Sequence, residues 1–144
     1  MPAVAQIVDV LGGTGIFHSR IRGPQELGDR VREGLPYETL EAVVERLRLT
    51  REELSAALHL PLRTLTRRKK NRRLRPDESD RLARLARIAA YGIEVLGDED
   101  RATSWLRTPN RALAGSTPLQ LLDTDLGSRQ VEEVLGRIEH GVFS

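Results

Sequence analysis

The stretch PLRTLTRRKKNRRLRP, Pro61 to Pro76, carries eight basic side chains in sixteen residues and no acid. Groups of this type at this density do one kind of chemistry well. They neutralise phosphate, and arginine also donates in pairs to guanine O6 and N7, which is worth about 1–3 kcal/mol of discrimination per base pair. A solvated basic face or a disordered basic arm would have the same composition, so the flanking residues must decide. Leu62 and Leu65 stand one helical turn apart and are expected to turn inward together, which a disordered arm does not need.

Upstream, TREELSAALHL begins with Thr50 and has Glu53 three residues on, the spacing of a capping box. Leu54, Ala57 and Leu58 then form an apolar stripe. A capped helix, a turn near His59 to Pro61 and a second helix from Leu62 make the layout of a helix-turn-helix, whose second helix enters the major groove. Arg63, Arg67 and Lys70 fall at i, i+4 and i+7 on its outward face. Thr64 and Thr66 are placed to touch a base or a thymine methyl. Arg68, Lys69, Arg72, Arg73 and Arg75 are expected to neutralise phosphates. RNA is disfavoured, since aromatic residues are only 3% of the chain and no stacking platform is in view.

Other chemistries find little support. GGTG at Gly12 to Gly15 departs from the dinucleotide pattern, because His18 stands where its last glycine belongs, and it lacks the Lys-Ser/Thr of a phosphate loop. A structural turn is expected there, rather than a nucleotide-processing site. His18, His59 and His140 are far apart, and there is no cysteine, so neither a metal site nor a thiol nucleophile is expected. Asp98, Glu99 and Asp100 suit the positive end of a helix better than acid/base work. Trp105 is expected in the core. The expectation is no enzyme, no catalytic residue and no cofactor.

Around this stretch the composition favours an all-α fold, with a helix-turn-helix domain and a smaller helical domain after it. Three segments follow: 1–34, whose role stays open; 35–97, the helix-turn-helix domain; and 98–144. YETLEAVVERLRL aligns Leu40, Val43, Val44 and Leu47 on one face, and Pro76 opens a long helix through Leu82, Leu85, Ala89 and Leu96 to Gly97. A short helix capped by Asp98 is expected next. Thr117 and Gln120 make a second capping box, and SRQVEEVLGRIEHG makes a last helix with Val131, Val134, Leu135 and Ile138 inward. Residues 36–97 hold fourteen bases against nine acids, net +5, whereas 98–144 hold five against eight, net −3. The middle is thus suited to an anion and the end to another protein. No run approaches the ~18 apolar residues that span a bilayer, and the first residues make a poor signal peptide. A soluble, cytoplasmic protein without membrane contact is expected. Because such motifs read two half-sites, so is a dimer or higher homo-oligomer.

The C-terminal third adds a resemblance. Trp105-Leu106, Pro109-Asn110, Leu113 with Gly115, Thr117-Pro118, Leu121-Leu122 with Thr124, Gly127, Val131, Leu135, Ile138 and Gly141 follow in the order seen in Xre/MbcA/ParS-type antitoxins of RES-Xre toxin–antitoxin systems. Gly34 to Pro36, Arg63 to Lys69 and Glu78 to Ile88 fit as well. The resemblance implies a partner toxin with an RES domain, an NAD-degrading fold related to ADP-ribosyltransferases. It implies two roles: inhibiting that toxin by blocking its active site through a C-terminal toxin-binding domain, and repressing the shared operon by binding operator DNA. Glu139, His140, Val142, Phe143 and Ser144 would meet the toxin, with Phe143 either a plug or folded back on the core. Glu132 and Glu133 would add negative charge there. One departure stands out: Arg75 replaces the serine that often caps the long helix in this family. The alternative from another class is a stand-alone repressor whose C-terminal domain only dimerises.

Overall fold

The computed structural model describes residues 1–141, and the elements in that range are helical. They are α1 (Val4–Val10), α2 (Thr14–Phe17), α3 (Pro24–Glu33), α4 (Tyr37–Leu47), α5 (Arg51–Leu58), α6 (Leu62–Asn71), α7 (Pro76–Leu96), α8 (Glu99–Arg107) and α9 (Asp125–Glu139), with single 3-10 turns at Arg111–Leu113 and Leu119–Leu121. Among the described residues no helix is long and apolar enough to cross a membrane.

At 21 residues α7 is the longest element, about 31 Å at helical rise. Its side chains Leu82, Leu85, Ala86, Ile88, Ala89, Ala90 and Tyr91 are all buried. They spread over several faces, so the helix must be surrounded. It packs against α1, α3, α4, α5, α8 and α9, and one apolar cluster runs from Ile7 to Leu135.

Residues 1–34 contribute Ile7, Val8, Val10, Leu11, Phe17, Ile21 and Leu27 to that cluster. VAQIVDV is rich in β-branched residues, and α1 forms because α7 covers its buried face. GGTG is a turn. Gly12 has φ of +109°, and a Cβ there would sit 2.1 Å from Ile16 Cδ1 and 3.2 Å from Ala42 Cβ. Only glycine fits where this turn meets α4.

The capping expectations hold in detail. Glu53 N donates to Thr50 Oγ1 at 3.0 Å and Thr50 N to Glu53 Oε1 at 2.9 Å. Asp98 caps α8, accepting from Arg101 N at 2.7 Å. The Thr117–Gln120 box also forms, with Thr117 N donating to Gln120 at 2.9 Å and Gln120 N to Thr117 at 3.1 Å. It closes one 3-10 turn rather than an α-helix, because Thr124 caps α9 three residues after that turn ends. The start of α9 presses on that turn: a Cβ at Gly127 would lie 2.0 Å from the Leu121 carbonyl oxygen.

Arg68 requires a correction. Expected to face phosphate, it is only 7% exposed, and its Nε donates to Glu78 Oε1 at 2.7 Å. Glu78 is also buried, and the same oxygen accepts from Arg75 N at 2.8 Å. One carboxylate therefore ties α6 to α7 and satisfies the N-cap amide of α7, where Arg75 offers no side-chain cap. Position 68 lies one turn beyond Leu65, on the same face, so its side chain is carried inward with it.

Several ion pairs join residues before Gly97 to residues after it. Arg46 reaches Glu99 at 2.8 Å, Arg48 reaches Asp100, and Arg107 grips Glu53 with Nε and Nη2, both at 2.9 Å. The Arg107 fork, with the Thr50 amide behind it, holds the Glu53 carboxyl down to about 2, although partial burial opposes this.

Two outcomes follow. Glu78→Leu leaves Arg68 charged and buried, so urea unfolding should show a loss of about 3–5 kcal/mol, part of which Arg68→Met recovers in the double variant. A single-variant loss below about 1 kcal/mol would contradict the buried pair. For Glu53, the depressed folded value means its stabilisation is complete above the ordinary carboxylate value of 4.5 and is lost as pH falls toward about 2. Melting temperatures measured across that window should fall more steeply for the native chain than for Glu53→Gln.

Candidate nucleic-acid interface

The candidate recognition element is α6, preceded by Pro61 as its N-cap and ended by Arg72 in the left-handed conformation, φ 62°. Leu65 is 1% exposed and docks the helix on the core. Leu62 does not join it and is 41% exposed. A helical side chain leans over the turn N-terminal to its own Cα, and the first helical residue has no such turn beneath it. Inward anchoring thus rests on Leu65 and on the Arg68–Glu78 pair, not on two leucines.

Arg63, Arg67 and Lys70 are all exposed, as their spacing predicts. Three cationic groups thus project from one face of a single short helix, with Lys69 and Arg75 exposed nearby. Arg72 is exposed at the helix end, where its backbone carbonyl accepts from Tyr37 N at 3.0 Å. Arg73 is more constrained. It forms an isolated antiparallel bridge with Pro36, and its Nη1 donates to the Gly34 carbonyl at 2.5 Å. Thr64 is half-buried. Thr66 is exposed, but its hydroxyl is occupied: it accepts from Arg51 Nη2 at 2.9 Å and donates to the Leu62 carbonyl at 3.3 Å.

Arg51 is the residue that sequence reasoning missed. As the first residue of α5 it reaches across the turn to Thr66 and to the Leu62 carbonyl, 3.5 Å away, bracing one helix against the other. Its position directly after the cap was visible, but the crossing partner fifteen residues on was not.

At the other end of the chain, Glu139 Oε1 accepts from the Tyr91 hydroxyl at 2.8 Å, and its carboxylate meets the Met1 ammonium at 3.2 Å. The Tyr91 hydrogen bond and that ammonium lower the Glu139 carboxyl below the ordinary range. Burial, with the Glu139 charge adding to it, pushes the Tyr91 hydroxyl up to about 12. His140 is exposed beside Glu139, 3.7 Å from it. Glu132 is engaged by Arg87 at 2.6 Å, whereas Glu133 is exposed. Of the five expected toxin-facing residues, the structure brings Glu139 and His140 together. Val142, Phe143 and Ser144 lie outside the described residues.

Residues 26–87 match the antitoxin Xre-like helix-turn-helix domain, and residues 92–141 match the antitoxin Xre/MbcA/ParS C-terminal toxin-binding domain. The chain is 33% identical over 120 residues to "Antitoxin Xre" of Yersinia enterocolitica, covering 82% of this chain and 81% of that protein. It is 39% identical over 117 residues to "Antitoxin Xre" of Pseudomonas putida, covering 81% of this chain and 72% of that one. Its fold is similar to a chain in the crystal structure of the M. tuberculosis MbcT-MbcA toxin-antitoxin complex, with a TM-score of 0.56 and 28% identity, covering 75% of this chain and 96% of that chain. With the helix-turn-helix of α5 and α6 and the helical domain behind it both matched, the chain belongs to the Xre antitoxin family and is a non-enzymatic antitoxin of a toxin–antitoxin system.

Proposed function

We propose that this antitoxin binds and inhibits an RES-type, NAD-degrading toxin by covering its active site, and that it represses its own operon as a dimer or larger assembly through α6. The observation that carries the DNA half is the outward row Arg63, Arg67 and Lys70 on a helix whose other face is fixed by Leu65 and the Arg68–Glu78 pair. A fixed helix presents guanidinium groups with the low entropic cost that base reading requires. Arg72, Lys69 and Arg75 supply phosphate neutralisation around it. Arg68 has no part in this surface, the exposed Thr66 has its hydroxyl engaged within the protein, and the exposed Arg73 has one guanidinium nitrogen held by the Gly34 carbonyl. The toxin half is supported by the match of residues 92–141 to a toxin-binding domain and by the similarity to a toxin–antitoxin complex. The net −3 of residues 98–144 suits a basic enzyme cleft rather than DNA.

Gel-shift titration of the DNA upstream of the gene against a scrambled duplex tests the DNA half. Arg67→Ala should weaken binding to the upstream duplex about tenfold and relax its preference. Arg72→Ala should weaken both duplexes alike and reduce the salt slope by about 1. Equal losses on both duplexes for Arg67→Ala would mean that no base is read. Growth on co-expression with the adjacent reading frame tests the toxin half. The full chain should rescue, and a chain ending at Gly97 should not. Rescue by the short form, or a harmless neighbour, would favour a stand-alone repressor instead.

A further inference from the structure

The structure assigns Arg107, a side chain of the C-terminal domain, as a positioning residue for the DNA-reading helix. Its fork closes on both carboxylate oxygens of Glu53, at 2.9 Å from Nε and from Nη2, and Nη2 also donates to the Arg48 carbonyl. Glu53 is no ordinary surface acid. It is the third residue of α5 and closes the capping box that sets where that helix begins. The carboxylate therefore holds the Thr50 amide on one side and the Arg107 guanidinium on the other. One residue further on, Arg51 crosses to Thr66 and the Leu62 carbonyl on α6. Charge-assisted bonds from α8 to Glu53 and from Arg51 to the outer face of α6 thus meet at the N-terminus of α5, where the backbone of Thr50 and Arg51 joins them.

Neighbouring contacts reinforce the same direction of influence. The buried Leu119 of the 3-10 turn packs on α5, and Glu53, Ala56, Arg107, Thr117, Leu119 and Gln120 enclose a shared recess. Helix α5 is held between the DNA-reading helix and the C-terminal domain. A bidentate arginine–carboxylate pair fixes orientation as well as distance, which a lysine cannot do. The C-terminal domain is therefore part of the DNA-reading unit, and a partner that moves α8 changes how α6 is presented.

This inference rests on the DNA-reading assignment above, and the experiment separates the two. Full-length Arg107→Met and Arg107→Lys are compared with the native chain for binding to the upstream duplex and to the scrambled one, and for amide hydrogen exchange over residues 50–71 in the free protein. For Arg107→Met, preference for the upstream duplex should fall about tenfold, the size expected for loss of a charged hydrogen bond. Affinity for the scrambled duplex and its salt slope should be unchanged. Amides of α5 and α6 should exchange about tenfold faster. Arg107→Lys, which keeps the charge without the fork and preserves more of the fold, should show a smaller change in the same direction. Unchanged exchange in both variants, or equal loss on both duplexes, overturns the positioning role. If the native chain shows no preference between duplexes, the DNA-reading assignment fails, and exchange alone then decides whether Arg107 fastens α5.

Discussion

A helix that buries Leu82, Leu85, Ile88 and Tyr91 together with alanines on several faces cannot persist in water alone, and the rest of this antitoxin is arranged around that fact. The N-terminal helices cover one side of α7, the helix-turn-helix leans on another, and α8 and α9 close the remainder. The residues matched to a helix-turn-helix domain and those matched to a toxin-binding domain therefore share one apolar core, with α7 running from the first into the second.

Arginine does two opposite jobs within a few ångströms. Arg67 and Arg68 are adjacent in sequence, yet one is free in solvent and the other is buried against Glu78. The helical period separates them by about 100°, enough to send neighbours to opposite faces. A buried pair of this kind adds little net stability, but it is intolerant of losing one partner, which makes it a good fixer of register. The basic stretch thus contains its own anchor, and the charge count overstates how many cations are left facing solvent. Arg73 shows a partial form of this, exposed yet with one guanidinium nitrogen drawn to the Gly34 carbonyl.

Arg46, Arg48 and Arg107 extend this internal use across the Gly97 region, each meeting an acid from the other side. Partly exposed pairs contribute little singly. Arg107 differs because its partner already has a structural task at a helix start, so the contact sets geometry as well as adding attraction.

Local chemistry was legible in the sequence. The caps at Thr50, Asp98 and Thr117, the apolar stripe of α4, the stop at Gly97 and the outward spacing of Arg63, Arg67 and Lys70 all depend on residues within a few positions of one another, and the family resemblance lay in short ordered words. Long-range partnership was not legible. Helix α1 forms because α7 covers it, Leu62 is left outside because nothing precedes it in its helix, and Arg68 turns inward because Glu78 waits ten residues away. Arg51 and Arg107 find partners fifteen and fifty-four residues distant. Sequence periodicity fixes the face on which a side chain stands, but only the assembled core decides what that face meets, because burial and charge pairing depend on neighbours brought together by folding.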